Sequence, residues 1–226
     1  MPEKKLPIAA FDLDGTLADT AADLISTLNV VLAQENMPPL PLDNARSLIG
    51  AGAKALINRG FAQHGITIAE PRIEELFQEF LRHYGENLCV ETKLYPGVAE
   101  ALDQLLDAGI KLAVCTNKFE DHSIRLLEIL GIADRFSVIC GRDTFPFYKP
   151  DPRHLTETIM MAGGDPRFAV MIGDSNTDIA TSRNANIPVI GVPFGYTDTP
   201  IAELNPDLVI DHFSAMPAAI KKILLR

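Results

Sequence analysis

Carboxylates, hydroxyls and one lysine gather at the ends of apolar runs in this sequence, a set that suits the chemistry of a magnesium-bound phosphate. Asp12, Asp14 and Thr16 follow IAAF, Thr116 and Asn117 follow KLAVC, and Asp174, Ser175, Asn176 and Asp178 follow AVMIG. Lys149 stands before Pro150 in the segment beyond SVIC. Residues two apart in extended chain face the same side, so Asp12 and Asp14 can meet one ligand if Leu13 turns into the core. Close carboxylates repel each other's charge, which raises the pKa of at least one and sets a nucleophile beside a proton donor. Asp174 adds a further hard oxygen, and a magnesium ion bound by a few carboxylates, waters and substrate phosphate would screen the negative cluster.

The elements that must position these groups follow from periodicity. Short apolar runs at 8–11, 111–115, 137–140, 169–172, 188–192 and 208–210 suit strands buried on both faces. Helical patterns lie between the later ones, at 98–108, 121–130, 154–162 and 178–185, and Gly109, Gly131 and Gly163 stop the first three. This alternation predicts an α/β protein with a Rossmann-like core and a mostly parallel sheet, in which ligands bind beyond the carboxyl ends of the strands. After Asp14-Gly15-Thr16, however, the next strand pattern comes only near Lys111, and the intervening segment reads as helical. Thr20 with Asp23 predicts a capping box before LISTLNVVLAQ, followed by a proline-rich break and helices from Asp43, over 53–64 and over 73–84. The expected organisation is a catalytic core of 1–16 and 91–226 carrying an all-α cap domain of 17–90, with linkers at 16–19 and 89–97.

Composition narrows the function classes. The 226 residues are enough for one or two domains with their own core, and 47% hydrophobic against 22% charged residues is ordinary for a globular chain. A net charge of −10 repels nucleic acid and anionic membranes, so no nucleic-acid or membrane partner is expected and a phosphate site is a local exception. Cys89, Cys115 and Cys140 show no metal or redox spacing, and the last two sit in apolar runs that suggest buried thiols. The opening MPEKKLPIAAFD is too short in apolar residues for a signal segment, no run is long enough to span a membrane, and the closing AMPAAIKKILLR reads as a packed helix, so a cytoplasmic protein is expected. Either a monomer or a homodimer is compatible with the sequence.

DLDGT at Asp12 to Thr16, TN at Thr116-Asn117, KP at Lys149-Pro150 and GDSNTD at Gly173 to Asp178 resemble the four ordered motifs of the haloacid dehalogenase superfamily. The contexts FDLDGTLADTAADL, LYPGV, YKPDP and VMIGDSNTDI resemble most closely its phosphoglycolate phosphatase branch, whose helical cap follows the first motif. The resemblance implies that Asp12 is the nucleophile, Asp14 the general acid and then base, and Thr116 and Lys149, with Asn117 beside them, the phosphate site. It also implies that magnesium is held by Asp12, the Asp14 backbone carbonyl and Asp174, with Asp178 as a further or water-mediated ligand. Phosphomonoester hydrolysis needs up to ~10²¹-fold acceleration and one acid or base supplies about 10²–10⁴, so metal, lysine, positioning and a water-excluding lid must combine.

Simpler readings exist for several of these residues. Asp178, Ser175 and Asn176 suit helix capping. Gly50-Ala51-Gly52-Ala53-Lys54-Ala55 matches a dinucleotide fingerprint without the preceding strand. It reads instead as a helix start or, as the resemblance suggests, a specificity segment of the cap, with Gly50, Gly52 and Lys54 near the substrate. Lys54 and Arg59 would then offer charge to a substrate carboxylate, and Lys54→Ala would raise KM for a carboxylated substrate more than for a neutral ester. The five histidines read as surface or packing residues, and the acidic stretch 70–79 as a solvated helix face. The rival functions are a phosphosugar mutase, a phosphatase of another small phosphate, and a phospho-accepting signalling domain, which would need neither the helical insert nor Asp14.

Overall fold

A computed structural model describes residues 6–197 and 199–224. The first five residues of the expected core and the last two of the closing helix lie outside them. In chain order the elements are β1 (Ile8–Phe11), β2 (Ala18–Asp19), α1 (Ala21–Gln34), α2 (Leu42–Ala45), α3 (Ala53–Gln63), α4 (Glu70–Glu86), β3 (Lys93–Leu94), α5 (Val98–Asp107), β4 (Lys111–Cys115), α6 (Glu120–Ile129), β5 (Val138–Cys140), α7 (Pro152–Met161), β6 (Ala169–Gly173), α8 (Asn176–Ala185), β7 (Val189–Gly191), β8 (Leu208–Val209) and α9 (Met216–Leu224).

Six strands form one sheet in the order β5-β4-β1-β6-β7-β8, each pair parallel. Both faces are covered, which is why β1 is apolar throughout. Ile8 and Ala10 pack into a layer with Leu155, Ile159 and Ile179, whereas Ala9 and Phe11 face Leu102, Leu105 and Ile220. The chain builds outward from β1 through β4 to β5, then crosses back to start β6 on the other side of β1. Such a reversal opens a crevice at the carboxyl ends of β1 and β6. Helices α5, α6 and α7 stop before Gly109, Gly131 and Gly163, which take φ of 75°, 71° and 76°. Among the described residues, no helix is long and apolar enough to cross a membrane.

Between β2 and β3 the chain is helical. Helices α1, α3 and α4 enclose their own apolar cluster, including Leu28, Leu32, Ile57, Phe61, Leu76 and Phe80. The helix expected from Asp43 is only one turn, α2, followed by a 3₁₀ turn at Arg46–Leu48. The two crossings into and out of this unit pair as an antiparallel ribbon, Ala18 with Leu94 and Asp19 with Lys93, rather than running as plain linkers. Strands of two residues carry no periodicity that a sequence can display.

The predicted capping box does not form. Thr20 stands at the N-cap of α1 without capping it, and its hydroxyl donates instead to Asp14 Oδ1 at 2.8 Å. The first free N–H groups of the helix are taken by the Tyr196 hydroxyl, which accepts from Thr20 N at 2.5 Å and Ala21 N at 3.0 Å. Asp23, 4% exposed, accepts the backbone N–H groups of Val90, Glu91 and Thr92 and the Thr92 hydroxyl. A buried carboxylate gains more from these convergent donors than from one N-cap amide, and it ties α1 to the returning chain. Asp23→Ala strands these donors and is expected to cost about 3–5 kcal/mol in urea denaturation. A loss under about 1 kcal/mol would contradict the anchoring role.

Candidate active site

The crevice between β1 and β6 collects the expected carboxylates. Leu13 is fully buried, as the alternation required, and Asp12 and Asp14 both line the cavity beyond β1. Asp12 Oδ1 accepts the N–H of Leu13 at 2.8 Å and the ammonium of Lys149 at 3.0 Å. Its Oδ2 has no hydrogen bond among the described residues. The chain then turns at Gly15, φ 80°, where a Cβ would overlap the Asp174 carboxylate, so glycine is required on both counts. Asp174 is held from two sides, by the Thr16 hydroxyl at 3.1 Å and the Tyr196 N–H at 2.8 Å.

Asp178 serves two partners at once. Its Oδ2 completes a capping box with Ser175 at the start of α8, and its Oδ1 accepts Lys149 at 2.6 Å. The capping reading of this residue is met by one carboxylate oxygen, and the other is turned to the lysine. Oxygens of Asp12, Asp174 and Asp178 lie within 4.8 Å of one another, and all three residues are buried. Three carboxylates face a single lysine, and the protonation equilibria record the imbalance. Burial, with the charges of Asp178 and Asp14 added and Lys149 opposing, pushes Asp12 up to about 6. Burial and the charges of Asp178 and Asp12 likewise hold Asp174 well above the carboxylate range. Burial works against the Lys149 ammonium, but Asp12 and Asp178 outweigh it and keep its pKa above that of an ordinary lysine. A buried set of hard oxygens with surplus negative charge fits a divalent cation.

The opposite wall carries the other expected residues. Thr116, 1% exposed, and Asn117 follow β4 and line the same cavity as Asp12. The Asn117 amide donates to the Lys149 carbonyl at 3.0 Å, so it fixes the loop that presents the lysine, while its Oδ1 is buried without a partner among the described residues. Asp14 Oδ1 accepts Thr20 and the ammonium of Lys118, each at 2.8 Å.

From the helical unit, Gly50, Gly52 and the start of α3 line the cavity, with Leu24, Leu56, Phe80 and Tyr84 around them. Lys54 does not line it. Helix α3 turns that side chain toward α4, where it pairs with Glu74 and lies over the Phe77 ring, and Arg59 is spent on the Leu48 carbonyl. The expected selective effect of Lys54→Ala accordingly has no geometric basis.

Sequence reasoning missed Lys118, Tyr84, His122 and Tyr196. Lys118 directly follows Thr116-Asn117, and that position beyond a strand end was the available signal. His122 was assigned to packing or surface, yet it lines the cavity edge-on to Tyr84, ring centres 5.7 Å apart. The tyrosines come from α4 and the loop after β7, where no local pattern marks them. His154 is a packing residue as expected, buried against Cys115 and the Gly141 carbonyl.

Comparison with known proteins agrees with this architecture. Residues 9–192 match the haloacid dehalogenase-like hydrolase family. The chain is 49% identical over 218 residues to a phosphoglycolate phosphatase of Agrobacterium fabrum, covering 96% of this chain and 94% of that protein. It is 46% identical to one of Caulobacter vibrioides, covering 93% and 89%. The crystal structure of a predicted phosphoglycolate phosphatase from Haemophilus somnus superimposes with a TM-score of 0.87 at 33% identity, covering 95% of this chain and 97% of that one. With its four motifs converging on one crevice of the sheet, the chain belongs to the haloacid dehalogenase-like hydrolases.

Proposed function

We propose that this protein is a magnesium-dependent phosphomonoester hydrolase that works through a phosphoryl group carried on Asp12, and that its substrate is a small carboxylated ester, 2-phosphoglycolate. The observation that carries the reading is the pairing of Asp12 and Asp14, each with Oδ1 anchored by a lysine and Oδ2 free of hydrogen bonds among the described residues. Two carboxylates so held supply a directed nucleophile beside a proton carrier. The names of the relatives from Agrobacterium and Caulobacter support the choice of substrate.

In this mechanism Asp12 Oδ2 attacks phosphorus in line, the bond to the glycolate oxygen breaks, and Asp14 gives that oxygen its proton. Asp14 then takes a proton from water, which attacks the phosphorylated Asp12 and releases inorganic phosphate. Lys149 and the Thr116 hydroxyl stand where they can stabilise charge on the transferring group. Asp12 and Asp174, with the Asp14 backbone carbonyl and Asp178 in support, would hold magnesium, which when bound offsets the repulsion between substrate and site. Residues 17–90 act as a lid that excludes water, hinged at the β2–β3 ribbon.

The raised pKa values of these carboxylates have a definite sign for stability. Asp12 and Asp174 bind protons more tightly folded than unfolded, so stability falls as pH rises above the usual carboxylate range, for Asp12 through about 6. Millimolar magnesium should therefore raise Tm clearly at about pH 7.5 and much less at about pH 5, where protons compete for the same oxygens. Equal thermal shifts at both values would contradict carboxylate ligation.

The substrate is tested by magnesium-dependent phosphate release from a panel of small esters, with Asp12→Asn protein as the blank. Expected is a lead for 2-phosphoglycolate of about a hundredfold in kcat/KM, or ~2.8 kcal/mol in transition-state binding. A flat profile would discard the substrate, and silence across the panel would discard the hydrolase.

A further inference from the structure

Among the described residues that line the cavity one side chain is permanently cationic, Lys118, since Lys149 is paired with Asp12 and Asp178 and is not part of the lining. Lys118 is 4% exposed in its side chain and makes a single ion pair, to Asp14 at 2.8 Å. Of the three donors of the ammonium, one goes to Asp14 and the Tyr84 hydroxyl is within reach of a second, which leaves one for a ligand in a site where unmet donors are costly. Its Nζ also lies 4.4 Å from the ring centre of Tyr84, which reaches the cavity from α4. The Tyr84 hydroxyl is buried close to the Lys118 ammonium and gives its own proton to no acceptor among the described residues. Burial pushes that hydroxyl up to about 12, so it stays protonated and available as a donor.

Of the other candidates for binding an anion here, Arg142 approaches Gly52 but lies over the Tyr148 ring, 3.7 Å from its centre, and the rest are occupied or uncharged. Arg46 is paired with Asp19, Lys54 with Glu74, and Arg59 with the Leu48 carbonyl. Burial, and then the charge of Lys118, hold the pKa of His122 below its ordinary value, which leaves the ring neutral near pH 7. Apart from Asp14 and His122, which touch the pair, the neighbouring wall is apolar, formed by Leu24, Leu56, Phe80 and Leu81. A small compartment with one cation and one hydroxyl donor in apolar surroundings matches a single carboxylate at the far end of a short ester.

We propose that Lys118 and Tyr84 together form the receptor for the carboxylate of the substrate, one contributed by the sheet and the other by the helical unit. This rests on the proposed hydrolysis of a carboxylated phosphate ester, and it assigns the specificity of that reaction to these two residues. Because Lys118 keeps one donor on Asp14, the same ammonium registers the carboxylate and the proton carrier relative to each other. Because Tyr84 comes from α4, the receptor is complete only when α4 is packed over the crevice.

The test compares kcat and KM for 2-phosphoglycolate and ethyl phosphate, which has a methyl group in place of the carboxylate. Hydrogen bonds to charged groups are strong enough that Tyr84→Phe should lower the ratio of the two kcat/KM values about tenfold, mainly through KM for 2-phosphoglycolate. Lys118→Gln should lower it about a hundredfold, and Lys118→Arg should recover part of it. Tyr84→Phe keeps the ring and the packing, so it decides the matter even if Lys118→Gln does not fold. Equal losses on both esters, with the ratio unchanged, would overturn the receptor while leaving the substrate standing. A wild-type protein with no preference for 2-phosphoglycolate over ethyl phosphate would overturn both.

Discussion

Replacing Asp12 by Asn is expected to lower kcat by about 10⁵-fold or more, the scale seen when a covalent nucleophile is removed from a preassembled site. The fold should survive and gain slightly in stability at neutral pH. Asp12 is a buried carboxylate whose charge is disfavoured by burial and by Asp178 and Asp14, and the amide removes that charge without changing the shape. Lys149 retains Asp178 as a partner at 2.6 Å. The thermal gain on adding magnesium should shrink in the same variant, because one of three clustered oxygen donors is weakened. Steady-state kinetics together with thermal melts check both halves. A variant that loses activity because it unfolds would leave the chemical role of Asp12 unsupported.

Lys149→Met carries the second large effect, and here activity and stability should fall together. The side chain of Lys149 is 1% exposed and holds Asp12 at 3.0 Å and Asp178 at 2.6 Å. Removing one member of a buried ionic cluster strands the others, and about 3–5 kcal/mol of stability should be lost near pH 7. Without the lysine, the carboxylates prefer their protonated forms still more in the folded state. The native protein then binds the extra protons, so stability recovers as pH is lowered toward about 5. Loss of phosphoryl-charge stabilisation should lower kcat by about 10²–10³ under conditions where the variant is folded. Urea titrations across this range decide the issue: a deficit independent of pH would mean that Lys149 acts through packing and not as the counter-charge.

Much of the site was legible because its residues obey local rules. Asp12 and Asp14 follow a fully apolar strand and are separated by a leucine that has to be buried, so both carboxylates had to emerge together. Asp174 and Asp178 are legible for the same reason, at the junction of a buried strand with a capped helix. What stayed hidden depends on contacts between distant segments. Thr20 and Asp23 have capping-box spacing, but each found a better partner across the fold, in Asp14 and in the returning chain at 90–92. Lys54 follows a glycine segment that does line the cavity, yet the helical turn carries its side chain to Glu74 on the neighbouring helix. Tyr196 was illegible for another reason. It is an isolated aromatic in a loop, and its value lies in a hydroxyl that caps α1 and an N–H that holds Asp174.

The most direct test of covalent catalysis by Asp12 is a rapid acid quench during turnover of phosphorus-labelled 2-phosphoglycolate with magnesium, followed by peptide mapping. Label should appear on the peptide containing Asp12 within the first turnover, decay as inorganic phosphate is released, and be absent from Asp12→Asn protein. Phosphate released at the full rate with no label on the protein, or with label on another residue, would contradict the mechanism.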